Sequence, residues 1–197
     1  MNILFFLILI SLVIPNKSLI NAGPMVGYSS KMEVALWIQT NNESDVKFLY
    51  WDKKNPSLIL ETENFKTEKK SGYTATLIAD KVTSGTEYYY QPVINGKKIN
   101  FDYSLEFQTQ KHWEYRTNPP DFSFAFGSCA YTNEKDKDRP GKSYGGDYFI
   151  YSSILEKDPD FMLWLGDNVY FREPDDSRTG VYHRYTHDRS LSELQPL

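Results

Sequence analysis

Cysteine is almost missing from this chain: Cys129 is the only one in 197 residues. No internal disulfide framework can therefore staple the fold, and a hydrophobic core has to hold it together. An excess of basic charge is missing too. Lys and Arg number 22 against 26 Asp and Glu, a formal net charge of -4. That balance excludes a general phosphate-neutralising nucleic-acid binder or a basic membrane-surface protein. With 11 glycines and 10 prolines, the chain lacks the repeats of a fibre and the composition of a low-complexity polymer. No apolar run reaches the roughly 20 residues that cross a bilayer as a helix. What remains is a foldable composition, 40% hydrophobic and 16% aromatic.

The longest apolar run is Ile3 to Ile14, broken only by Ser11 and followed by Pro15-Asn-Lys-Ser18. Its length and its place at the extreme N-terminus read as a secretory signal peptide over residues 1–22, with a cut after Ala22. The expected location is then periplasmic or extracellular. Export makes the lone cysteine informative, because exported proteins use cysteines in pairs. Cys129 is buried and inert, paired with another chain, or a metal ligand or reactive thiol.

Residues 23–110 carry the marks of an all-β domain. Val34–Ile38, Val46–Trp51, Tyr73–Ile78, Tyr88–Ile94, Lys97–Tyr103 and Leu105–Thr109 are short β-rich runs separated by polar turns. Asn95-Gly96 is a hairpin signal. Val82–Tyr88 resembles the approach to the tyrosine corner of fibronectin type III domains. A small antiparallel sandwich is expected. Residues 111–120, KHWEYRTNPP, end in two prolines and read as a linker. His112 falls there, without metal-type neighbours at useful spacing.

Beyond the linker the pattern changes. Phe122–Phe126 is a short apolar run that stops at Gly127-Ser128-Cys129. Asp147 then offers an N-cap to a helix through Lys157 with Phe149, Ile150, Ile154 and Leu155 on its apolar face. Phe161–Leu165 is a second apolar run, ending at Gly166-Asp167. Strand, helix and strand predict a βαβ unit with two parallel strands buried on both faces. Parallel strands share one C-terminal edge, so Cys129 and Asp167 should leave the sheet side by side, where open α/β folds place their sites. Tyr170 follows three residues later. A thiolate and a phenolate beside a carboxylate suit ferric iron better than zinc, calcium or magnesium. The bland alternative is a capping Asp, a buried Cys and a packing Tyr.

Phe124-Ala-Phe-Gly-Ser-Cys129 and Leu163-Trp-Leu-Gly-Asp-Asn-Val-Tyr170 resemble the opening of alkaline phosphatase D (PhoD-like) metallophosphoesterases. The order of parts is similar as well, and so are Gly23–Tyr28 and Val34–Gln39. The resemblance implies an N-terminal part of a metallophosphoesterase domain over residues 121–197. It implies that Cys129, Asp167 and Tyr170 ligate Fe3+, that Asp167 also bridges to Ca2+, and that the substrate is a phosphate monoester or diester. The family's twin-arginine signal is not found in this sequence, nor are its later metal-binding motifs. His183 and His187 are four apart, a metal-type spacing, yet they sit in what looks like an ordinary helix over residues 181–189. Arg178, Arg184 and Arg189 read as solvated surface. The expectation is a fragment of a longer enzyme, inactive by itself. A reading from another class is an exported adhesion or carbohydrate-binding module using Trp37, Trp51 and Tyr88 to Tyr90.

Overall fold

A computed structural model of the chain describes residues 19–141 and 143–197; of the signal segment expected over residues 1–22, residues 1–18 lie outside them. Strands β1 (Ile20–Ser29), β2 (Val34–Thr40) and β6 (Thr74–Ala79) form one antiparallel sheet in the order β1-β2-β6. The facing sheet is built on β3 (Asp45–Asp52) and β7 (Glu87–Ile94), paired from Val46↔Ile94 to Asp52↔Tyr88. The two-residue strands β4 (Leu60–Glu61) and β5 (Phe65–Lys66) flank β3, while β8 (Lys97–Lys98) and β9 (Glu106–Gln108) flank β7. This is the expected sandwich, and its alternation explains it. Val46, Phe48 and Tyr50 of β3 are buried while Lys47, Leu49 and Trp51 face outward. On β7, Tyr88 and Tyr90 point in and Tyr89 and Gln91 point out.

Aromatic rings fill the space between the sheets. Phe48 meets Tyr90 edge-on at 5.8 Å, and Tyr88 stacks on Phe107 at 5.1 Å. The Tyr88 hydroxyl accepts from the Thr83 backbone N–H at 2.8 Å, which makes the expected tyrosine corner. Asn95 and Gly96 both take positive φ, 49° and 76°, as a two-residue type I′ hairpin requires.

The sandwich starts upstream of Gly23. Ile20 pairs with Thr40, Ala22 is buried, and the Asn41 N–H donates to the Leu19 carbonyl at 3.1 Å. A chain trimmed to begin at Gly23 is expected to lose about 2 kcal/mol relative to one beginning at Leu19, the worth of Ile20 and Ala22 burial. Urea titration of the two chains checks this; equal midpoints would refute it.

After the 111–120 segment, tied back to the sandwich by Lys31–Glu114 at 2.7 Å, come β10 (Phe124–Gly127), α1 (Phe149–Leu155), β11 (Phe161–Trp164) and α2 (Arg178–Arg189). β10 and β11 are parallel, with Phe124 opposite Phe161 and Gly127 opposite Trp164. The expected strand–helix–strand order is present, with two corrections. The strands are not buried on both faces: Phe126 is 67% exposed, and Phe124, Phe161 and Leu163 are exposed as well. Two strands have too few neighbours among the described residues to be covered. Helix α1 is shorter than expected, Tyr148 rather than Asp147 stands at its N-cap, and Phe149 and Ile150 face solvent while Tyr151 is buried beside Trp164.

Helix α2, capped by Ser177 accepting from the Gly180 N–H, docks on the sandwich. Gln39 Nε2 donates to Thr186 Oγ1 at 2.9 Å, and the Tyr182 hydroxyl donates to the Lys70 carbonyl at 2.7 Å. Among the described residues, no helix is long and apolar enough to cross a membrane.

Candidate metal centre

The parallel pair delivers its two C-termini to one edge. The Leu165 N–H donates to the Gly127 carbonyl at 2.8 Å, continuing the ladder past the last strand residues. Beyond it the Cys129 N–H reaches Gly166 O at 3.3 Å and the Ala130 N–H reaches Asp167 O at 3.0 Å. Both exits turn sharply. Cys129 has φ 63° and Asp167 has φ 51°, left-handed values that cost a side-chain-bearing residue free energy. Gly166, at φ 111°, occupies a region reserved for glycine. Two non-glycine residues in left-handed conformations thus face each other across the strand edge.

The turns bring three donors together. Cys129 Sγ lies 3.9 Å from Asp167 Oδ2, and the Tyr170 hydroxyl lies 3.5 Å from the same oxygen. Cys129 is exposed among the described residues rather than buried. Ser128 Oγ sits 3.5 Å from the sulfur, a neighbour the sequence reading missed. The Tyr170 phenol is pushed up to about 12, first by its hydrogen bond to Cys129, then by desolvation and its electrostatic interactions with Cys129 and Asp167. Crowded donors of this kind favour the protonated phenol; a cation among them would reverse the preference. Ligands on one first-row metal ion at about 2.0–2.3 Å lie roughly 3–4 Å from one another, so the spacing and the donor chemistry both fit a shared cation. No group of three His, Cys, Asp or Glu side chains converges among the described residues; the Tyr170 phenol stands beside Asp167.

The other sequence candidates stand elsewhere. His183 Nε2 is 3.1 Å from Glu134 and from Lys137, and His187 Nδ1 is 3.0 Å from Asp188, so the histidines serve polar contacts of α2. Arg184 is a correction: it is fully buried rather than solvated. Its Nε donates to Asp175 at 2.8 Å, Glu134 Oε2 lies 2.7 Å from Nη2, and Asp188 lies 3.8 Å from Nη1. Arg178 donates to the Lys70 carbonyl, and Arg189 covers the Tyr185 ring.

No protein-family model matches the sequence, and no curated protein sequence matches it. Among solved structures, the structure of PhoD superposes with a TM-score of 0.67 over 90% of this chain and 36% of that chain, at 17% identity. The fold is PhoD-like. This chain spans about a third of the length of that structure. The fibronectin type-III domain of human fibronectin type III domain containing protein 3 aligns over 46% of this chain and 84% of its own, with a TM-score of 0.34 and 11% identity. The fn3 domain of human contactin 1 aligns over 48% and 81%, with 0.31 and 15%. At those scores the sandwich assignment rests on its strand pairing.

Proposed function

We propose that this chain supplies the first part of an exported phosphoric ester hydrolase, with Cys129, Asp167 and Tyr170 holding Fe3+ and Asp167 shared with Ca2+. The observation that carries the reading is the convergence of thiol, carboxylate and phenol at the C-terminal edge of β10 and β11, on two left-handed residues. Fold likeness to PhoD supports it. Bound cations would neutralise the phosphoryl oxygens and lower the pKa of an attacking water.

The chain's own residues do the holding. Gly166 permits the tight exit that aims Asp167 at the edge, the 129–130 backbone clasps 166–167, and Ser128 flanks the thiol. The exposed faces of β10 and β11 suit burial by further strands and helices, and catalysis belongs to the site so completed. A phosphate mono- or diester is the substrate class, and secretion through the general route is the proposed location. The domain limits proposed are a sandwich through residue 110, a linker to 120, and the start of the metallophosphoesterase domain after it.

Iron reconstitution tests the ligand set without relying on turnover. Purified chain loaded with Fe(III) is expected to show a visible phenolate-to-iron band. Tyr170→Phe should abolish it and Cys129→Ser should weaken it per bound iron. A chain that stays colourless, or variants with unchanged spectra, would sink the assignment. The carbohydrate-binding alternative loses part of its surface in the structure, since Tyr88 and Tyr90 are core residues. Trp51 and Tyr89 pair with each other across the strands at 6.2 Å.

A further inference from the structure

We propose that Arg172 is a positioning residue for Tyr170, locking the segment after β11 to the segment after β10 so that the phenol is presented beside Cys129 and Asp167. The proposal deepens the metal-site reading and rests on it for its purpose, though its geometry stands by itself.

Arg172 holds Tyr170 once directly and once through Tyr131. Its Nη1 donates to the Tyr170 carbonyl, and its guanidinium lies over the Tyr131 ring at 4.0 Å. Tyr131 in turn packs against the Tyr170 ring with centroids 5.3 Å apart. The remaining donors reach the other segment: Nη2 to Thr132 O at 2.6 Å and Nε to Asp138 Oδ1 at 2.9 Å. Asp138 Oδ1 also accepts from the Tyr131 hydroxyl at 2.6 Å, closing the ring of contacts. At the far side the Arg172 N–H donates to Asp175 Oδ2 at 2.8 Å.

The charge pair is nearly out of water, with side-chain exposures of 6% for Arg172 and 7% for Asp138. Burying two charges has a desolvation cost that apolar residues of the same volume would avoid, so a buried pair is weak evidence for stability. What the pair provides is geometry. Only a planar guanidinium offers donors in several fixed directions while stacking on a ring, and one Lys ammonium cannot span the same partners. All of those partners lie on the two chain segments that leave the β10–β11 edge.

The test uses the full chain labelled with 3-fluorotyrosine and kept metal-free, with the Tyr170 fluorine resonance assigned by its loss in Tyr170→Phe. Arg172→Lys and Arg172→Gln should each move that resonance toward its free amino-acid position. Val46→Ala, which weakens the distant sandwich core, should leave it in place. The same Arg172 variants should bind Fe(III) roughly 10–100-fold more weakly, the usual cost of losing an outer-shell support. If Arg172→Gln fails to fold, Arg172→Lys retains the charge and still removes the fork. An unmoved Tyr170 resonance in folded Arg172→Lys would overturn the proposal. A wild-type chain that takes up no iron would refute the metal reading alone, because the fluorine result needs no metal.

Discussion

Phe48→Ala is expected to destabilise the chain by about 3–5 kcal/mol, among the largest losses any single substitution here should give. Phe48 is fully buried at the centre of β3, meets Tyr90 edge-on, and its N–H is satisfied by Thr62 Oγ1 at 3.0 Å. Truncation removes the ring's transfer free energy and leaves a void between two sheets whose paired backbones resist collapse. In a domain of this size the loss corresponds to a fall in melting temperature of roughly 6–20 °C. Scanning calorimetry of the variant measures it, and a shift under 2 °C would contradict the core assignment. Phe48→Leu, which keeps most of the volume, should recover much of the loss.

Arg184→Met should be comparably damaging by a different physical route. The methionine fills similar space, so packing is nearly conserved. Glu134, Asp175 and Asp188, all mostly buried, are left without their shared cation. Removing one partner of a buried ion group typically costs about 3–5 kcal/mol. The pH dependence identifies the cause. Contacts with Lys137, His183 and Arg184 outweigh desolvation and hold the Glu134 carboxyl at about 2, below its ordinary 4.5. Hydrogen bonding from Arg172 and Arg184 and the Arg184 charge likewise outweigh desolvation at Asp175 and hold it low.

Because these folded values are depressed, their stabilisation is present in full above about pH 4.5 and is lost as pH falls toward 2. In Arg184→Met the support from Arg184 is gone at every pH. The gap between wild type and variant should be widest at neutral pH and narrow steadily on acidification. Chemical denaturation at several pH values decides it; a gap independent of pH would mean that the loss came from packing.

The sandwich was legible because each strand obeys a two-residue period against a single core. Val46, Phe48 and Tyr50 announce their face before any coordinates are known, and Asn95-Gly96 announces its turn. The candidate centre was legible in part, since parallel strands must deliver Cys129 and Asp167 to one edge. Its support was not. Arg172 and Asp138 are 34 residues apart, and Arg184 reads along the sequence like any other charge on a polar helix. Long-range charge pairing leaves no local period to detect. Nothing in the sequence reading singled out Arg172, which stands just before the acidic Glu173-Pro-Asp-Asp176.

The sequence alone therefore determined the alternating core, the hairpin turn, the tyrosine corner and the strand–helix–strand order, because these depend on neighbours a few residues away. Tertiary structure alone decided that Cys129 is exposed, that Arg184 is buried, that Ile20 to Ala22 belong to the first sheet, and that the β10–β11 faces stand open to solvent. Each of those depends on which distant segment covers a residue, and burial is a property of the packed chain rather than of the residue itself.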